Sequence, residues 1–200
     1  MNNWIEDILD SKIDILNSLK KSDYFDTVES VGELLVDALK KNKKILIAGN
    51  GGSAADAQHF AGEVVGRFLK NRKALPAISL CTDPTIVTSI SNDYGFDDLF
   101  SREIEGLGNE GDVFIAISTS GNSNNCIKAI KEAHKKRIYV VGLLGKNGGK
   151  MKDICDLSLV VPSDSTPRIQ EIHTFTIHLL CQIIDEKISG ENNELEKICN

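Results

Sequence analysis

Lys44-Ile45-Leu46-Ile47-Ala48-Gly49-Asn50-Gly51-Gly52-Ser53-Ala54 is the stretch that decides the fold. Its apolar run, 45–48, is continuous rather than alternating, as in a strand covered on both faces. The glycines that follow let the backbone approach a ligand closely, and the helix expected after them points its free N–H groups and positive dipole end at the same turn. Four more runs rich in Ile and Val, at 77–81, 113–117, 139–144 and 157–161, are separated by helix-like segments. This alternation predicts an α/β fold with a five-stranded parallel sheet flanked by helices. Upstream, Ile5, Ile8, Leu9, Ile13, Leu16 and Leu19 recur at helical spacing, so amphipathic helices are expected at about 3–20 and 26–41. Downstream, a helix is expected at about 168–188, and the polar tail at 190–200 is expected to be loose. No repeat or linker divides the chain, so residues 1–200 are expected to form a single domain, with the N-terminal helices serving oligomer packing.

Bulk properties narrow the function. The chain has 200 residues, 41% hydrophobic and 26% charged, with a net charge of -6. That charge argues against nucleic acid or an anionic membrane as partner, because no face-wide basic field is available. Lys40-Lys41-Asn42-Lys43-Lys44 reads as a solvated helix end, where cations suit the dipole. Five cysteines, odd in number and widely spaced without Cys-x-x-Cys, form neither a disulfide framework nor a zinc knuckle. No signal-peptide pattern opens the chain, and no apolar run nears the ~20 residues that span a bilayer. A cytoplasmic protein with reduced thiols is expected.

Chemistry collects at two loops and two helices. Gly49-Asn50-Gly51-Gly52-Ser53 and Ser118-Thr119-Ser120-Gly121-Asn122-Ser123 each follow an apolar run and open a helix. The second offers several neutral donors around a phosphate, far more than one helix cap needs. Gly49-x-Gly51-x-x-Ala54 also fits the dinucleotide fingerprint, but the acid expected about 20 residues on is missing, since the next run ends near Asp83. His59 and Glu63 lie four apart, on one helical face. On the last helix, Gln170 and His178 are about 80° apart on the wheel, while His173 lies about 60° from Gln170, so spacing does not choose between the histidines. A His, a carboxylate, an amide oxygen and a second His are ligands for zinc as well as acid/base groups. Asn92-Asp93-Tyr94-Gly95 ends a helical stretch and reads as a turn or a sugar contact.

Ala48-Gly49-Asn50-Gly51-Gly52-Ser53, Gln58-His59-Phe60-Ala61-Gly62-Glu63, Ser91-Asn92-Asp93-Tyr94-Gly95, Ile117-Ser118-Thr119-Ser120-Gly121-Asn122-Ser123 and Arg168-Ile169-Gln170-Glu171-Ile172-His173 together resemble the phosphoheptose isomerases of the sugar isomerase (SIS) family. The resemblance runs from about residue 40 to 186. It implies a flavodoxin-like three-layer fold, a homotetramer with active sites between subunits, and conversion of sedoheptulose 7-phosphate to glycero-manno-heptose 7-phosphate, the first step toward the heptoses of lipopolysaccharide and other surface glycans. It further implies one zinc per subunit on His59, Glu63, Gln170 and His178, which selects His178 over His173. Substrate contacts are implied at Asn50, Gly51, Gly52, Glu63, Asn92, Asp93, Ser118, Thr119, Ser120, Ser123 and Gln170, with Ser53 joining the phosphate donors. Pro167 departs from the pattern, because some members carry an aspartate there; it suits the first turn of a helix.

A ketose becomes an aldose through an enediol, which needs a base near carbon and an acid near oxygen; Glu63 and His178 are the expected pair. Two alternatives belong beside this reading. One is a related SIS tetramer that binds a replication initiator protein without turnover, which is expected to lack the Glu63 and His178 equivalents. The other is an isomerase of another sugar phosphate.

Overall fold

The computed structural model describes the backbone of residues 3–198 and the side chains of 3–188. Helices α1 (Trp4–Lys20) and α2 (Tyr24–Lys40) precede β1 (Ile45–Gly49), α3 (Gly52–Val65) and β2 (Ala77–Ser79). Then come α4 (Pro84–Asp93), a 3₁₀ turn (Phe96–Asp98), α5 (Leu99–Leu107), β3 (Val113–Ser118) and α6 (Asn124–Lys135). The chain continues through β4 (Tyr139–Gly145), α7 (Gly149–Lys152), β5 (Leu157–Val161) and α8 (Thr166–Ile198). The strands form one parallel sheet in the order β2-β1-β3-β4-β5, with Ile45 beside Ala77 on one side and Val113 on the other.

Each central strand buries both faces, as the continuous apolar runs require. Ile45, Ile47, Val113, Ile115 and Ile117 join α1, α2, α3 and α8 in one core, whereas Leu46, Ala48, Phe114 and Ala116 join α5 and α6 in a second. The chain therefore leaves β1 toward one face and β3 toward the other. Such a switch point between adjacent parallel strands opens a crevice at their carboxyl ends, and both Gly/Ser loops lie there.

Three local expectations change. The run at 77–81 pairs only as Ala77–Ser79, and Ile78 stays exposed, because β2 is an edge strand with one neighbour. Lys44 is not a solvated cation: its Nζ bonds Asp112 at 2.6 Å and its backbone N bonds the same carboxylate at 3.0 Å, tying the start of β1 to the approach to β3. In the segment from 190 the backbone continues as helix through Ile198. Residues 199–200 of that segment lie outside the described residues.

Helix α8 is fastened to its neighbours by polar contacts buried in the first core. Tyr24 Oη and Thr176 Oγ1 meet at 2.8 Å, and His173 Nε2 lies 3.1 Å from the Leu144 carbonyl. A carbonyl can only accept, so His173 donates from Nε2. Burial pushes the His173 pKa down to about 4, against a smaller upward pull from that carbonyl, and the imidazole is neutral. His173 is a core histidine.

Candidate active site

Helices α3 and α8 run side by side and meet rung by rung. Gly52 faces Gln170, Asp56 faces Thr174, and His59 faces His178. These positions recur at about one helical turn on each element, so the sequence spacing alone brings them into two facing stripes. At the first rung the Gln170 amide lies so close that a Cβ on Gly52 would stand 2.1 Å from its nitrogen, so a larger residue there would displace the Gln170 side chain. At the second, Thr174 Oγ1 donates to Asp56 Oδ1 at 2.9 Å. Asp56 is buried and its Oδ2 has no partner among the described residues; burial raises its pKa, offset in part by Thr174 and by the nearby His59.

The third rung is a triad. His59 Nε2 lies 3.2 Å from Glu63 Oε1 and 3.3 Å from His178 Nε2, and the His178 ring stacks on Phe68 with centroids 5.5 Å apart. A ring nitrogen holds either one proton or one in-plane lone pair. If His59 Nε2 carries the proton and donates to Glu63, it has no lone pair for His178. If it is bare, its lone pair faces the carboxylate. No neutral tautomer satisfies both contacts. A cation satisfies all of them, and two donors about 2.0–2.1 Å from a tetrahedral ion stand roughly 3.3 Å apart. His59, Glu63 and His178 thus carry donor types that zinc takes, two pairs of them in contact. Among the described residues no group of three or more His, Cys, Asp and Glu side chains is arranged to hold a metal ion as it stands, and Gln170, the fourth expected ligand, rests against Gly52 instead.

The far end of α3 is clamped. Arg72 donates to the carbonyls of Glu63 and Val64 at 3.0 and 2.9 Å, and to Asp185 on α8 at 2.7 Å. Asp185 also accepts from the backbone N–H groups of Leu69 and Lys70. Burial works against its charge, but these donors outweigh it and hold its pKa below the ordinary carboxylate value.

The two loops open helices whose N-cap residues, Gly51 and Ser123, make no side-chain capping bond. Gly51, at φ +57, makes the turn into α3. The Ser123 hydroxyl occupies the capping position of α6 yet bonds Ser118 Oγ at 2.9 Å, and Gly121 N donates to Ser118 Oγ at 3.1 Å. Ser118 and Ser53 are buried, while Thr119, Ser120 and Ser123 are half-buried at the mouth of the crevice. Asn92 and Asp93 end α4, exposed, with Asn92 Nδ2 donating to Asp93 Oδ1 at 2.8 Å; among the described residues neither hydrogen-bonds the loops.

The SIS-domain family model matches residues 9–145. A phosphoheptose isomerase from Campylobacter jejuni is 59% identical over 159 residues, 80% of this chain and 86% of that protein. The chain belongs to the SIS family. A second phosphoheptose isomerase of the family, from Clostridium acetobutylicum, is 46% identical across 96% of this chain and 98% of its own. The solved structure of the Neisseria gonorrhoeae phosphoheptose isomerase, a SIS protein 42% identical, superposes with a TM-score of 0.86 over 91% of this chain and 97% of that one.

Several residues of this SIS site were not singled out from sequence: Asp56, Phe68, Arg72, Asn125, Thr174 and Asp185. The ladder partners have a signal, one polar residue per turn facing another such stripe. Phe68, Arg72 and Asn125 lie in unremarkable surroundings. Burial raises the Cys126, Cys155 and Cys181 thiols to about 12 and raises Cys81 as well; Cys199 lies outside the described residues.

Proposed function

We propose that the protein is an aldose–ketose isomerase that converts D-sedoheptulose 7-phosphate to D-glycero-D-manno-heptose 7-phosphate, the first step in making heptose for surface glycans. The observation that carries the chemistry is the His59–Glu63–His178 triad on the helix that one glycine-rich loop opens, with a second, hydroxyl-rich loop opening α6. The names of relatives up to 59% identical supply the sugar. Serines and Thr119 at the α6 start, with Gly51, Gly52 and Ser53 at the α3 start, hold the phosphate by N–H and O–H donation. The reacting end then lies toward the triad. Glu63 and His178 form the acid/base pair: one carries the C1 proton to C2, and the other moves a proton between the two oxygens, so the enediol forms and collapses without net change in protons.

Zinc, one per subunit, would be held by His59, Glu63 and His178, with Gln170 as a fourth donor after a change of rotamer. When bound, it supplies Lewis-acid polarisation of the substrate oxygens. A homotetramer is part of the same reading. Trp4, Ile5, Ile8, Leu9 and Ile13 leave an apolar stripe exposed on α1, which subunit packing would cover. Asn92 and Asp93, distant in bonding from the loops, would reach substrate across such an interface. The enzyme would work in the cytoplasm; among the described residues no helix is long and apolar enough to cross a membrane. Glu63 and His178, expected to be absent from a non-catalytic initiator-binding relative, favour the isomerase.

The test is NMR detection of aldose product from sedoheptulose 7-phosphate, with native, chelated and zinc-restored protein. Conversion that falls on chelation and returns with zinc is expected. No conversion by folded, zinc-loaded protein would sink the proposal.

A further inference from the structure

Two amide side chains join the loops that the proposed function gives to substrate. Asn50, at the end of β1, donates from Nδ2 to Asn125 Oδ1 at 3.0 Å, and Asn125 donates back from Nδ2 to Asn50 Oδ1 at 2.8 Å. Asn125 is buried in the first turn of α6, and its Oδ1 also accepts from the backbone N of Cys126 at 2.9 Å. The two ends of an Asn amide differ only in who donates and who accepts. A backbone N–H can only donate, so Cys126 fixes which end of Asn125 is the oxygen. Asn125 in turn fixes which end of Asn50 is the nitrogen. One helix-start N–H therefore sets the sense of an amide 75 positions earlier in the chain.

The pair uses one proton and one lone pair of Asn50. One N–H and one acceptor site remain, and Asn50 is half-buried at the crevice mouth. Turned over, the same side chain would offer a donor where an acceptor is needed and an acceptor where a donor is needed. The loop is also held by other means: Ser53 N bonds Asn50 O, and Ala54 N bonds Gly51 O. The amide pair is thus not the loop's only support.

We infer that Asn125 is a positioning residue for the isomerase reaction: through the reciprocal amide pair it holds Asn50 in a single orientation for substrate and links it to the helix that binds the phosphate. The inference rests on the isomerase reading for its ligand, sedoheptulose 7-phosphate.

A double-mutant cycle tests it, with Asn50→Ala, Asn125→Ala and the double variant as full-length zinc-loaded protein. Two readouts are taken: affinity for sedoheptulose 7-phosphate by calorimetry together with kcat/KM, and affinity for inorganic phosphate alone. Asn125→Ala should lower kcat/KM about tenfold while inorganic phosphate affinity changes by less than about twofold. In the Asn50→Ala background, adding Asn125→Ala should change kcat/KM by less than about twofold. Additive losses, or loss of phosphate affinity in step with kcat/KM, would make Asn125 a loop support and overturn the inference.

Should Asn125→Ala fail to fold, Asn125→Asp keeps the acceptor for Cys126 while placing an oxygen against Asn50 Oδ1. Its loss should likewise shrink in the Asn50→Ala background, and a loss of equal size there overturns the inference. Wild-type binding without turnover would fail the isomerase reading and leave the affinity cycle to decide on Asn125. Absence of binding would overturn both.

Discussion

His173 and His178 sit on one helix and meet different surroundings: one donates to a strand carbonyl in the core, the other faces His59 at 3.3 Å. Their substitutions should separate cleanly. His178→Gln is expected to reduce turnover by at least about a hundredfold with little change in Tm, whereas His173→Gln should lower Tm and leave kcat of the surviving folded enzyme near normal; activity assays and thermal melts read the two. Glu63→Gln should abolish detectable turnover while gel filtration shows an unchanged assembly, and near-normal activity would remove Glu63 from the acid/base pair. The pH behaviour of His173 has a definite sign. Its folded pKa, about 4, lies below the ordinary 6.5, so its contribution is complete above pH 6.5 and is lost as pH falls toward 4. That loss is on the order of 3 kcal/mol. Spacing on the wheel placed both histidines within reach of Gln170, so the choice between them was not legible from periodicity. Their different surroundings are set by which face meets β4, a tertiary fact outside periodicity.

Among elements, α3 and α8 carry the His59–Glu63–His178 triad, and the Arg72–Asp185 pair locks their shared end. Both side chains are about 1% exposed, and removing one partner of a buried pair strands the other. Arg72→Ala should therefore cost roughly 3–5 kcal/mol in urea unfolding, and should weaken zinc in chelator competition because the Glu63 and Val64 carbonyls lose their donor. The elements themselves were largely readable. Apolar runs at 113–117 and 157–161 became β3 and β5 nearly residue for residue, since strands buried on both faces leave little room for polar residues. The shorter β2 and longer α8 were misjudged for physical reasons: an edge strand is closed on one side only, and a polar helix end gives no apolar period. The ladder and the amide pair stayed hidden because they join residues more than 70 positions apart whose individual types are ordinary on any surface.

For the whole molecule, two buried groups pull stability in opposite directions with pH. Burial, and then the charge of Asp83, raise Glu103 to about 7, so its contribution is complete below the ordinary 4.5 and is lost as pH rises through 7. Glu103→Gln should accordingly raise Tm at pH 8 and leave it almost unchanged at pH 4.5, as melts at the two pH values would show. Assembly is a separate matter: Ile8→Glu, on the exposed α1 stripe, should yield smaller species by light scattering and lower activity with the subunit still folded.

The division of the interior into two cores has its own consequence. The His59–Glu63–His178 triad, proposed to hold zinc, grows from helices rooted in one, and the start of α6, proposed to hold phosphate, grows from the other. A repacking error beneath one sheet face should loosen one ligand grip and spare the other. Random core variants would then sort into two phenotypes, those that lose the ion but keep the phosphate and those that do the reverse, and the two sets would map to opposite sides of a sheet one strand thick.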